Sequence, residues 1–237
     1  MERDDIKHHI SNRFNVELMT IVNNVSSMGI VVKEQLQHTM QALLEHNHEI
    51  ANRVISRDTE INRLQMIIDN ECNQTIARYQ PTAVDLRVII ASTRIVNDLE
   101  RIGDQAKHIS KKILNHSELN ASLPGVHQGL INLSNEALSG LDSALNTYKS
   151  MDTQQAIDVV RHDELIDEHY SEVVTKLNQL ALDAPEHVAV IIDLMWVAYA
   201  LERIGDHARN IGEAAIYMVE GKDIRHERAS DISASLT

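Results

Sequence analysis

Two pairs of carboxylates stand four residues apart inside a repeated hexapeptide. They are Glu100 and Asp104 in LERIGD at Leu99–Asp104, and Glu202 and Asp206 in LERIGD at Leu201–Asp206. On a helix, positions i and i+4 share a face, so each pair sets two negative charges side by side. Two more acids interrupt an apolar stripe upstream: Asp58, three before Ile61, and Asp163, three before Ile166. A charge at a seam position is costly without a partner. Folding each pair of helices as an antiparallel hairpin, about Pro81 in one half and the Ala184–Pro185 junction in the other, brings these acids level. Asp58 then stands opposite Asp104 and Asn62 opposite Glu100; Asp163 stands opposite Asp206 and Asp167 opposite Glu202. At about 4 Å and an effective dielectric near 20, each like-charge contact costs on the order of 4 kcal/mol. Two remedies are open. One is a hard or borderline cation, since oxygen-only ligands suit Mg²⁺, Mn²⁺, Ca²⁺ or iron. The other is ion pairing to Arg101, Arg203 or Arg209 on neighbouring faces. Gly103 and Gly205 sit inside the motif at a cost of about 1 kcal/mol each in a helix interior, and the expectation is that a ligand or another backbone approaches closely there.

The elements that must position these groups are helices. Ile10, Phe14, Leu18, Ile21, Val25, Met28, Val32, Leu36, Met40 and Leu43 recur in steps of three and four, one face of a long helix. Five further stripes follow, on either side of a break between Asn115 and Gly129 that holds Pro124 and Gly125. Three helices, a linker and three helices, with one hexapeptide repeated verbatim and a Pro before each copy, read as a duplication of about a hundred residues. The expected fold is all-α: two pseudo-symmetric antiparallel three-helix bundles, six helices in all. The first bundle is expected over 1–116, a linker over 117–125, the second bundle over 126–221 with Gly221 as its stop, and a polar, frayed tail over 222–237.

Composition narrows the function. Of 237 residues, 43% are hydrophobic but only 3% aromatic, so the core is aliphatic. The net charge of −13 and the absence of a basic patch exclude a nucleic-acid partner. Cys72 is the only cysteine, which rules out an intrachain disulfide and fits a reducing compartment; its place in an apolar stripe makes it a buried structural thiol. The charged amino terminus has no apolar h-region, and the apolar run from Val188 to Leu201 is short and broken by Asp193. No membrane span is expected. No P-loop, dinucleotide fingerprint or GxSxG occurs. Glu45 and His48 make one ExxH, where a di-iron bundle needs two. His162–Asp163 lacks the companions of a metal phosphohydrolase, and His207, beside Asp206, reads as a surface or outer-sphere residue.

Certain segments carry a family resemblance. DLERIGD at Asp98–Asp104, ALERIGDHARNI at Ala200–Ile211, QPTAVDLR at Gln80–Arg87 and EGKDIRH at Glu220–His226 resemble the PhoU family over nearly the whole chain. That resemblance implies a usually dimeric pair of three-helix bundles in the cytoplasm. It implies metal ions, among them iron or zinc clusters, on the acidic motifs, here Asp58, Asn62, Glu100 and Asp104 in one half and Asp163, Asp167, Glu202 and Asp206 in the other. It implies contacts with the ATPase subunit of the phosphate ABC transporter and with a sensor histidine kinase, limiting uptake and restraining the phosphate-starvation response. The DxxxD pattern is complete only in the second half, where Asp167 replaces the Asn62 of the first; the second cluster is therefore expected to hold metal more tightly. The rival reading is a metal-dependent enzyme acting on phosphate compounds. It lacks a His or Lys at a consistent place near both clusters to act as acid or base.

Overall fold

The structure is a computed structural model and describes residues 12–115, 126–225, 227, 231 and 232. The linker expected at 117–125 and Ile10 lie outside the described residues. Six helices follow in order: α1 Asn12–Glu45, α2 His48–Tyr79, α3 Ala83–Asn115, α4 Val126–Ser150, α5 Thr153–Asp183 and α6 Val188–Glu220. A 3₁₀ turn, Pro185–His187, enters α6. Among the described residues there is no strand, and no helix is long and apolar enough to cross a membrane.

Local chemistry sets the boundaries, and it does so twice over. Asn47 caps α2 by accepting from the backbone N–H of Glu49 and Ile50, both at 3.1 Å. Asp152 caps α5 by accepting from Gln155 N–H at 3.1 Å. The residue before each cap, His46 and Met151, is left-handed, with φ of 51° and 58°. Gln80 closes α2 in the same region, at φ 49°, just ahead of Pro81. Gly221 closes α6 at φ 76°, its N–H returning to the Tyr217 carbonyl.

Helices α1–α3 and α4–α6 each pack mutually, and the two bundles meet along α3 against α6 and α1 against α4. The apolar stripes face inward: Leu18, Val25, Met28, Ile61, Ile95, Leu99, Leu141, Val173, Leu201 and Ile204 are buried, and one aliphatic core runs through both bundles. Polar bonds pin the seam. Tyr148 and Ser92 share a hydroxyl–hydroxyl bond of 2.7 Å, and Lys112 donates to Asp193 at 2.7 Å. That contact accounts for the acid inside the apolar run of α6. Cys72 is fully buried, and burial, with Asp69 and Glu71 nearby, pushes its thiol up to about 12, an unreactive sulfur.

Two residues of the expected tail are packed rather than frayed. Ile224 and Ile232 are buried against Ala156, Ile157, Val160, Ala215 and Ile216 in a small core of their own. Two isolated isoleucines among polar residues make no periodic signal, so sequence patterning reads them as frayed. In the fold they cover apolar surface left by α5 and α6.

Candidate functional site

In the first bundle Asp58 (α2) is buried, with 3% of its surface exposed, and it is paired. Lys107 (α3) donates to Asp58 Oδ2 at 2.6 Å and also lies 3.5 Å from Asp104 Oδ1. Asn62 donates its amide to Asp58 Oδ2 at 3.3 Å, while its own Oδ1 is buried with no hydrogen-bond partner. Glu100 lies 3.8 Å from Arg101. Burial, reinforced by Asp104 and Asp58, pushes its carboxyl above the usual range. Asp58, Asn62, Glu100 and Asp104 thus stand at one level of the bundle, as the hairpin register requires.

The second bundle repeats the arrangement with more charge. Arg209 (α6) donates to buried Asp163 (α5) at 3.3 Å and to Glu213 at 3.1 Å, and Arg203 donates to Asp206. Burial raises the carboxyls of Asp163 and Asp167, with Asp206 adding to both. Glu202 is pushed up to about 7 by burial first, then by Asp206, with Asp167 and Asp163 adding and Arg203 opposing. Its Oε2 is buried and has no hydrogen-bond partner. Each cluster therefore holds a built-in cation: an ammonium in the first and guanidiniums in the second pair with its carboxylates. Among the described residues no three His, Cys, Asp or Glu side chains converge closely enough to enclose an ion.

Lys107 is the member of the first cluster that sequence reasoning missed. Its signal was present: it follows Asp104 by three, as Arg209 follows Asp206 by three. The close approach at the motif glycines is made by a side chain of the neighbouring helix. A Cβ on Gly103 would stand 2.9 Å from Ile61 Cδ1, and one on Gly205 2.8 Å from Ile166 Cδ1. The isoleucine three residues after each buried Asp is the knob, and the glycine is its hole. His207, read as a surface or outer-sphere residue, is instead buried and bonds through Nδ1 to Asp98 of α3 at 2.9 Å, with Asn210 donating to the same oxygen at 3.1 Å. It joins the bundles.

The raised carboxyls have a consequence for stability. Glu202 binds its proton more tightly folded than unfolded, so it favours folding below about pH 4.5 and loses that contribution as pH rises to about 7. Glu100, Asp163 and Asp167 act in the same direction. Glu202→Gln is expected to stabilise metal-free protein at pH 8 by about 1–2 kcal/mol, after discounting for solvent screening, and to change little at pH 5. Thermal melts across that range check this; a wild-type pH profile left unaltered by the substitution would refute it.

The PhoU domain matches residues 25–113 and 130–215, one segment in each bundle and each containing a copy of LERIGD. The phosphate-specific transport system accessory protein PhoU homolog of Pseudomonas aeruginosa is 34% identical over 226 residues, covering 95% of this chain and 93% of that protein. The phosphate-specific transport system accessory protein PhoU of Escherichia coli K12 is 31% identical over 241 residues, covering 100% of this chain and 97% of that one. The crystal structure of PhoU from Pseudomonas aeruginosa aligns with a TM-score of 0.84 at 32% identity, over 88% of this chain and 100% of that one. The phosphate transport system regulatory protein PhoU from Streptococcus pneumoniae aligns with a TM-score of 0.82 at 27% identity, over 89% and 98%. The duplicated bundle, the paired acidic motifs and these matches across both halves establish that the chain belongs to the PhoU family.

Proposed function

We propose that this chain is a cytoplasmic, homodimeric adaptor of phosphate homeostasis. In this reading it contacts the ATPase subunit of the phosphate ABC transporter and a sensor histidine kinase, limiting uptake and holding the starvation response off when phosphate is plentiful. The PhoU family is one of accessory and regulatory proteins of phosphate transport and not of enzymes.

The observation that supports partner binding is a bare apolar stripe on α6. Val188, Ile192, Trp196 and Tyr199 are 46%, 49%, 55% and 41% exposed, and the Trp196 and Tyr199 rings meet edge-on at 5.9 Å. Exposed apolar patches of this kind mark interaction surfaces, and Trp and Tyr are the residue types that anchor them. The duplication supplies an internal control. Counted from the two copies of LERIGD, Trp196 corresponds to Arg94 and Tyr199 to Asn97. Arg94 lies over the Tyr217 ring at 4.6 Å and 3.6 Å from Asp223, and Asn97 accepts from Gln65 at 2.9 Å. The bundle is content with polar residues there, so the aromatic pair in the second half is not a folding requirement.

The carboxylate clusters take up a divalent or trivalent cation, Mg²⁺, Mn²⁺, iron or Zn²⁺, in the same reading. Its support is the all-oxygen donor set, with the buried, unpaired Glu202 Oε2 in one cluster and Asn62 Oδ1 in the other. Uptake requires Arg203 and Arg209, or Lys107, to swing aside.

Deleting the gene should switch on a phosphate-starvation reporter in phosphate-rich medium. Wild-type protein should silence it again, and Trp196→Asp should fail to do so while remaining folded. A reporter that stays silent in the deletion strain would overturn the adaptor reading.

A further inference from the structure

The duplication builds one groove twice, between α1 and α2 and again between α4 and α5. The first is lined by Gln35, His38, Gln41, Arg53 and Arg57. Stepping from Asp58 to Asp163, and from the Asn47 cap to the Asp152 cap, sets the two halves in register. The second groove then carries Ser143 for His38, Asn146 for Gln41, Asp158 for Arg53 and His162 for Arg57. The backbone frame is shared and the charge is not. In a chain of net charge −13, the first groove gathers two guanidiniums and an imidazole, and no acid lines it. Its volume of about 260 Å³ falls below the range of organic-ligand pockets and suits a small ion.

A second observation is independent of charge. Gln35 is 1% exposed. Its amide donates to the Val54 carbonyl at 3.3 Å, but its Oε1 is buried with no partner. The equivalent position in the other half is Gly140, so the packing does not require an amide here. A buried acceptor left over beside a set of cationic donors calls for a ligand that is an anion and still carries an O–H.

We propose that the α1–α2 groove of the first bundle binds a protonated tetrahedral oxyanion, namely inorganic phosphate, which keeps at least one O–H at neutral pH. Arg53 and Arg57 present planar forks to its oxygens, His38 adds a ring N–H, and Gln35 Oε1 accepts from P–OH. Sulfate has the same shape but no proton at neutral pH, so it leaves Gln35 unpaired and is rejected. The arginines have present partners: Arg57 lies 3.5 Å from Glu34 and 3.8 Å from Glu60, and Arg53 lies 3.5 Å from Glu49. Gln41 donates to Glu45 at 3.1 Å. The ion pairs are long and on solvent-exposed side chains, where such pairs contribute little; they weaken the site without closing it.

Calorimetry on the full chain, chelator-treated and in chloride buffer, tests this with inorganic phosphate, sulfate and phosphoserine as probes. Phosphate should bind saturably at low millimolar concentration and sulfate at least tenfold more weakly. Arg53→Asp and Arg57→His, which install the second groove's residues, should each weaken phosphate at least tenfold. Asp158→Asn in the second groove should change nothing. Phosphoserine, whose phosphoryl group is largely a dianion without an O–H above pH 7, should bind more weakly than inorganic phosphate, and tighter binding of phosphoserine would overturn the site. The proposal falls with no saturable phosphate uptake, with equal affinity for sulfate, or with binding indifferent to both arginine variants. Circular dichroism confirms that these surface variants are folded. The site stands apart from the adaptor reading, since binding is measured on isolated protein.

Discussion

Gly205→Val should destabilise the protein by about 3 kcal/mol, the upper part of the usual overpacking range. The new Cβ alone would lie 2.8 Å from Ile166 Cδ1 and 2.9 Å from its Cγ2, and a branched side chain adds two methyls to that contact. Ile166 is 1% exposed and has nowhere to retreat. The better helix propensity of valine recovers only a few tenths of a kcal/mol. Ile166→Ala alone should cost about 2–5 kcal/mol through the cavity it leaves. Combined, the two changes should cost less than their sum by about 1–3 kcal/mol, because the valine fills the space vacated by the isoleucine. Urea denaturation of the four proteins measures this directly. A single variant within about 1 kcal/mol of wild type, or strict additivity, would contradict the knob-and-hole account of the repeated motif.

That pairing shows how far the sequence could be read. The doubled LERIGD and the two seam acids were visible as spacing, and antiparallel register alone set Asp58 level with Asp104 and Asp163 with Asp206. The reason for the glycine was not visible, because Ile61 and Ile166 lie on another helix and sequence spacing does not report which side chain fills a gap. Lys107 escaped notice for a different cause. Charged residues on helices are usually solvated, and only its match to Arg209 in the other repeat marks it. The burial of Ile224 and Ile232 was illegible in principle, since the two make no period that a pattern could catch. The contrast between the two α-hairpin grooves needed the structure as well, because equivalence of lining residues emerges only once both pairs of helices are packed.

Asp206→Asn should weaken Mn²⁺ uptake at least tenfold and by more than Asp104→Asn does. The second cluster has four carboxylates, Asp163, Asp167, Glu202 and Asp206, and the first has three with neutral Asn62. Each added anionic oxygen strengthens the attraction for a hard cation and adds repulsion that the cation relieves. Glu202, pushed up to about 7, must release its proton when it binds, so affinity should climb as pH rises from 6 to 8. Arg209→Gln should tighten binding, since it removes a competing cation from Asp163. Calorimetry after chelator treatment reads all three effects. No uptake at millimolar Mn²⁺ would leave the clusters as ion pairs alone, and a larger loss in Asp104→Asn would invert the ranking of the two bundles.

The adaptor reading is tested most directly by affinity capture of the tagged chain from phosphate-rich and phosphate-starved cells, with bound proteins identified by mass spectrometry. The ATPase subunit of the phosphate transporter and the sensor histidine kinase should be recovered from phosphate-rich cells, and Trp196→Asp should lose at least one of them. Recovery of neither protein under either condition would contradict it.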